Sequence, residues 1–306
     1  MNSVITEITD NNGFPRGVVR WQHAWVAGCA LPILALSLFD RLPGWEWMWV
    51  MALALFLASK CITISSYLGS SRRSQLAALF GYCLLWPGMD PAAFGRKRSR
   101  IRVPLSEWTS ALFKTATGGL IVWEVVPLIG LHNKLLAGWA GMVGIVFFLH
   151  FGLFHLLSIA WRELGFDARP IMRSPGTATS LSKFWGENWN NAFSDLVHEH
   201  LFKPVAKMVG PHRAMFAVFL VSGFLHELVI SLPARGGYGL PTAYFLLQSA
   251  ALVFERSKSG RTLGLGSGWR GWCFVLAIAG GPAFLLFPPV FVRNVILPML
   301  RAIGVC

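Results

Sequence analysis

Residues 135–161 read LLAGWAGMVGIVFFLHFGLFHLLSIAW, twenty-seven consecutive positions without an Asp, Glu, Lys or Arg. A bilayer core takes roughly 20 mostly apolar residues of helix, and within hydrocarbon only helices and closed barrels satisfy their own backbone. The stretch is therefore expected to cross a membrane as a helix. Working outward, Trp21–Phe39, Gly236–Phe254 and Gly271–Val292 pass the same test. Trp45–Ile64, Trp108–Leu131 and Ala214–Leu232 pass it with isolated charges inside: Lys60, then Lys114 and Glu124, then Glu227. Ser74–Met89 is shorter, ends in Trp86-Pro87-Gly88, and reads as a re-entrant or interfacial segment. The expected fold is an all-α polytopic membrane helical bundle of about 7–8 transmembrane helices plus re-entrant or interfacial helices, forming one domain over 1–306.

Composition excludes the soluble alternatives. Of 306 residues, 54% are hydrophobic and 13% charged, about half the roughly 25% charge of soluble domains. Disorder needs the opposite balance. The net charge of +13 raises the question of nucleic acid, but no basic stretch interleaved with aromatics sits in a soluble domain, and no nucleic-acid partner is expected. Basic loops instead signal orientation and meet anionic lipid or a phosphate-bearing substrate. The five cysteines form no CxxC pair and read as small core hydrophobes. Val26-Ala27-Gly28-Cys29 resembles a lipoprotein cleavage box, but its apolar run follows the cysteine, so an uncleaved first span is expected.

The basic residues test this layout. With residues 1–20 as a cytoplasmic tail and Ser74–Met89 not crossing, Lys and Arg divide fourfold in favour of one side, the bias expected of cytoplasmic loops. The protein is then a multi-pass integral membrane protein, of the inner membrane if bacterial and the endoplasmic reticulum if eukaryotic. Residues 162–213 form the longest non-spanning region, on the cytoplasmic side. Trp185, Trp189, Phe193, Leu196, Val197 and Leu201 recur there at helical spacing, with polar residues on the other faces and Pro204 marking the expected end. This predicts a Trp-rich amphipathic helix at the membrane interface.

Ionisable groups inside spans are costly and become functional candidates: Lys60, Lys114, Glu124, His150, His155, His226 and Glu227. A buried neutral imidazole at His226 suits a general base acting on an alcohol dissolved in the bilayer. Taken alone, the residue reads first as a core histidine satisfied by a neighbouring helix. His150 and His155 are five apart and do not share a face well; they read as structural or pocket-lining, with substrate contact open for His155. His226-Glu227 lacks the second histidine of a HExxH zinc site, and no metal is expected. Glu124 receives no role.

Two blocks carry a family resemblance. Ser180-Leu181-Ser182-Lys183-Phe184-Trp185-Gly186-Glu187-Asn188-Trp189-Asn190 resembles the SLxxFWGRRWN block of the wax-synthase-like branch of the membrane-bound O-acyltransferases. Phe224-Leu225-His226-Glu227 resembles that family's intramembrane histidine block, here with His226 36 residues after Asn190. Trp86-Pro87-Gly88-Met89-Asp90, Phe154-His155-Leu156-Leu157-Ser158 and Arg169-Pro170-Ile171-Met172 are similar to further segments of the branch.

The resemblance implies transfer of an acyl group from acyl-CoA, as co-substrate, to the hydroxyl of a lipophilic alcohol, with no other cofactor. It places His226 and Asn190 at the reaction centre, with Asn188 and Asn191 as neighbours that the motif does not separate from Asn190. Trp185, Trp189, Asn191, His155, Glu227, Arg173 and Lys183 are the expected substrate-binding residues. One departure stands out: where the pattern has two arginines, this chain has Glu187-Asn188. If that pair holds CoA phosphates, either the task passes to Lys183, Arg173, Arg169 or the cluster from Arg96 to Arg102, which reads equally as a topology signal with lipid contacts, or the donor differs. Two rivals stay open, acyl or acetyl transfer to a small natural product or sugar, and a transporter using the intramembrane charges. The acyl chain, the alcohol and the oligomeric state are not legible.

Overall fold

The computed structural model describes residue 28 and residues 30–70, 76–96 and 102–305. The expected tail at 1–20, the first part of the first expected span, Arg72, Arg73 and the middle of the Arg96–Arg102 cluster lie outside the described residues. Those described form helices and turns without a β-strand. The main helices are α1 (Gly44–Ser70), α2 (Leu76–Leu85), α3 (Leu105–Gly130), α4 (Lys134–Glu163), α5 (Pro211–Ala234), α6 (Leu240–Arg256) and α7 (Gly268–Leu286).

Five of these, α1, α3, α4, α5 and α7, are long and apolar enough to cross a membrane. They match five of the seven expected spans. α6 has 17 residues and rises about 25 Å. α2, with 10 residues, rises about 15 Å, roughly half a bilayer core, in keeping with a segment that does not cross.

α3 and α4 approach closely through small residues, the packing that lets membrane helices meet without a hydrophobic driving force. A Cβ on Gly118 would lie 2.3 Å from the backbone nitrogen of Phe148 and 2.7 Å from the Gly144 carbonyl. One on Gly152 would lie 2.4 Å from the Thr115 hydroxyl.

The prolines explain much of the irregularity. Proline within a helix lacks an N–H, and its ring collides with the carbonyl four residues back. Pro127, Pro204, Pro233, Pro282 and Pro298 each stand two residues after a π turn: Ile121–Val125, His198–Phe202, Glu227–Ser231, Leu276–Gly280 and Val292–Ile296. The wider turn moves the bonding one residue further back and eases the collision. Pro204, expected to end the amphipathic helix, instead lies in the first turn of Lys203–Val209. The chain leaves the helix at Gly210, whose φ is +87°.

The amphipathic stretch differs from a continuous helix in a second way. Leu181–Lys183 runs into a π turn at Phe184–Asn188, the helix breaks at Trp189 and Asn190, and it restarts at Asn191–Val197. The break follows from contact with residues 170–174. Arg173 N–H donates to the Asn188 carbonyl at 2.8 Å, and Asn191 N–H to the Ile171 carbonyl at 2.9 Å. Those bonds turn the backbone at Asn190 into the left-handed region at φ +46°, which asparagine tolerates better than most residues.

Lys60, within the α1 span, is 2% exposed. Its ammonium donates to the Gly88 carbonyl and lies 3.5 Å from the centroid of the Tyr82 ring. The lysine thus holds residues 86–90 against α1. Cys61, Cys83 and Cys273 are free thiols.

Candidate active site

His226 closes the α-helical part of α5, just before the π turn at Glu227–Ser231. Its Nδ1 lies 2.7 Å from the Ser222 carbonyl. A carbonyl only accepts, so Nδ1 carries the hydrogen and Nε2 the lone pair. Nε2 makes no hydrogen bond among the described residues. The ring packs on Phe245 of α6 with centroids 4.5 Å apart.

α6 comes this close because of Gly223, where a Cβ would sit 2.8 Å from the Thr242 Cα. Glu227 fastens the same crossing. Its Oε1 accepts from Thr242 N–H at 3.1 Å and from the Thr242 hydroxyl at 2.8 Å. Thr242 lies in the first turn of α6, where exposed N–H groups favour a carboxylate. The second oxygen, Oε2, is buried without a partner among the described residues.

Phe245 joins His226 to the tryptophan block. Trp185 packs on Phe245 at 5.7 Å, on Phe219 at 6.0 Å and on Tyr244 at 6.5 Å. Its indole N–H donates to Gln248 Oε1 at 3.3 Å, while Gln248 Nε2 donates to the Ile278 carbonyl at 2.7 Å. That carbonyl lies four residues before Pro282, which cannot bond it within α7. Gln248 is fully buried and fills the gap left by the proline. Trp189 stacks on Phe184 at 5.7 Å and meets Phe151 of α4 at 6.4 Å.

The three asparagines separate by what their side chains hold. Asn188 Nδ2 donates to the carbonyls of Arg173 and Ser174, and Asn191 Nδ2 to the Pro170 carbonyl at 3.3 Å. Both are committed to residues 170–174. Asn190 caps the next helix through Oδ1, which accepts from Phe193 N–H at 3.2 Å. Its Nδ2 makes no hydrogen bond among the described residues, so Asn190 alone of the three keeps a free pair of amide hydrogens.

The other expected residues lie further out. His155 Nε2 is 2.9 Å from Glu107 Oε1, and Arg162 pairs with the same carboxylate, giving a polar cluster between α3 and α4. Arg173 and Lys183 are exposed. Neither has an ion-pair partner among the described residues.

Two residues that the sequence did not single out hold the block in place. One is Gln248. The other is Glu255, 4% exposed, whose Oε2 accepts from Leu181 N–H at 2.6 Å and whose Oε1 accepts from Ser182 N–H at 3.3 Å. Ser180 Oγ adds a cap on Lys183 N–H at 3.1 Å. A carboxylate at the end of an expected span reads as a boundary marker, and only its contact across 74 residues reveals the cap.

The fold and these side chains define a helical integral membrane protein with an imidazole packed on Phe245 and a carboxamide that caps the helix following the tryptophan block, each with unused hydrogen-bonding capacity. Residues 168–247 match the model described as "Membrane bound O-acyl transferase family", and the match contains both blocks that carried the resemblance. The chain is 30% identical to "Probable long-chain-alcohol O-fatty-acyltransferase 7" of Arabidopsis thaliana over 43% of this chain and 42% of that protein. It is 34% identical to "Probable long-chain-alcohol O-fatty-acyltransferase 2" of the same plant over 30% and 29%. It is 30% identical to the "Long-chain-alcohol O-fatty-acyltransferase" of Simmondsia chinensis over 34% and 33%. The matched stretch therefore spans less than half the length of each of these relatives. The similarity to the wax-synthase-like branch rests on sequence blocks and family match together.

Proposed function

We propose that this protein transfers an acyl group from acyl-CoA to the hydroxyl of a lipophilic alcohol, forming an ester. The observation that carries the reading is the His226 tautomer: Nδ1–H is given to the Ser222 carbonyl, so Nε2 is free to take a proton. Names of the relatives give the substrate class, which is theirs and is proposed here for this chain.

In this reading Nε2 takes the hydroxyl proton as the alcohol oxygen attacks the thioester carbonyl carbon. Asn190 Nδ2 donates to the oxygen that becomes negative, a contact that strengthens as charge develops. The tetrahedral intermediate then expels the CoA thiolate, which takes the proton back from the imidazolium. Ester and free CoA thiol leave. Trp185 and Trp189 wall the site, Glu227 and Asn191 keep its helices in register, and His155 contributes through α4. Arg173 and Lys183 face the donor. The basic loops lie in the cytoplasm, so the polar thioester arrives from that side and the alcohol enters from the lipid.

The test is His226→Ala in membranes supplied with labelled acyl-CoA and a long-chain alcohol, with ester read by mass spectrometry. Product formation should fall by about 100-fold or more while the variant inserts and melts like the parent. Full activity in a correctly inserted variant removes the assignment.

A further inference from the structure

The tryptophan block lacks the basic pair of the pattern it resembles, carrying Glu187-Asn188 instead. The structure brings a cation to the block from another part of the chain. Arg256, at the end of α6, donates through Nε at 3.0 Å and through Nη2 at 2.7 Å to the Ser182 hydroxyl. The loop that follows, up to the start of α7, adds Lys258, Arg261 and Arg270, all exposed like Arg256. It packs against the same segment. A Cβ on Gly271 would lie 2.1 Å from the Thr179 carbonyl, and Trp272 Nε1 donates to the Gly176 carbonyl at 2.8 Å. The Arg270 side chain lies alongside Gly264, within 3.3 Å of where a Cβ would stand. Lys183 follows directly on Ser182.

The carboxylate beside Arg256, Glu255, is buried and occupied by the N–H groups of Leu181 and Ser182, and Glu187, exposed in the block itself, pairs with none of these cations among the described residues. None of Lys183, Arg256, Lys258, Arg261 and Arg270 has an ion-pair partner among the described residues. Loop orientation alone does not require a guanidinium fixed by two bonds on a catalytic block. From Ser182 the block runs to Trp185, which packs on Phe245, which carries His226. Packed side chains thus link the Arg256 anchor to the imidazole.

We propose that Arg256, Arg261, Arg270 and Lys258, with Lys183, form a phosphate-binding surface that holds the phosphates of the CoA donor, replacing the missing basic pair. This rests on the acyl-CoA reading above. Guanidinium groups suit the role because they bind phosphate oxygens in pairs and stay charged at all working pH values.

The experiment measures CoA and 3′-dephospho-CoA binding to the full chain in zwitterionic lipid nanodiscs, for the parent and for Arg256→Gln/Arg261→Gln/Arg270→Gln. The triple variant should melt like the parent, bind CoA at least about tenfold more weakly, and lose most of the parent's salt dependence of CoA binding. The parent should also prefer CoA to the dephosphorylated form, and the variant should not. Equal CoA affinity in parent and variant overturns the proposal. So does a variant whose only change is weaker association with vesicles containing anionic phospholipid, which would assign the surface to lipid headgroups. A parent that binds no CoA would sink the donor reading itself, and this surface with it.

Discussion

The Glu255 carboxylate accepts the Leu181 N–H at 2.6 Å, so the last turn of α6 caps the helix that begins the tryptophan block. Removing it leaves buried N–H groups unpaired, at about 1–3 kcal/mol each. Glu255→Ala should lower the melting temperature in detergent and reduce ester formation together. Glu255→Gln, which keeps one acceptor but turns an amide donor toward the other N–H, should fall between. An alanine variant that melts and turns over like the parent would show that the cap is dispensable.

Asn190 has two duties that substitutions can separate. Asn190→Asp keeps the Oδ1 acceptor for Phe193 N–H and removes the Nδ2 hydrogens. It should fold as the parent does and lose at least about 100-fold in turnover. Asn190→Ala loses the cap, about 0.5–2 kcal/mol, and adds left-handed strain of about 1–2 kcal/mol, so it should also melt earlier. An active aspartate variant would rule out donation from Nδ2.

Gln248 and Pro282 should be coupled. Gln248→Leu orphans the Ile278 carbonyl and the Trp185 indole, a loss of about 1–3 kcal/mol for each buried group. Pro282→Ala returns an N–H to α7 that can reach the Ile278 carbonyl. In a double-mutant cycle followed by thermal unfolding, Gln248→Leu should cost less in the Pro282→Ala background. Strict additivity would mean that the glutamine is not compensating for the proline.

Adjacent glycines in α3 should respond in opposite directions. Gly118→Ala forces α3 from α4, because its Cβ would lie 2.3 Å from Phe148 N, and it should destabilise strongly. At Gly119 the nearest atom is 3.9 Å away, and alanine there should stabilise by about 0.5–1 kcal/mol through the lower backbone entropy of the unfolded chain. Thermal unfolding of the two variants gives the comparison, and equal effects would contradict the close crossing.

The helical frame was legible because length and apolar content decide membrane crossing, and the five described spans lie where long apolar runs placed them. The interior of the amphipathic segment was not. Its apolar spacing is real, but the left-handed turn at Asn190 is imposed by bonds to residues 170–174, which spacing does not encode. Pro204 read as an ending because a π turn that accommodates proline leaves no local signature. At the candidate site, His226 stood out as an ionisable group inside a span, but Asn190 emerged only because two blocks matched a pattern at the right separation. Glu255 and Gln248 stayed hidden because their partners, Leu181 and Trp185, lie more than sixty residues away in sequence.

The contact of Gly118 with Gly144 and Phe148 leaves no room at that crossing of α3 and α4 even for a methyl group. A hydrocarbon chain cannot slip between the two helices at that level, so an oily molecule bound for the imidazole must pass elsewhere.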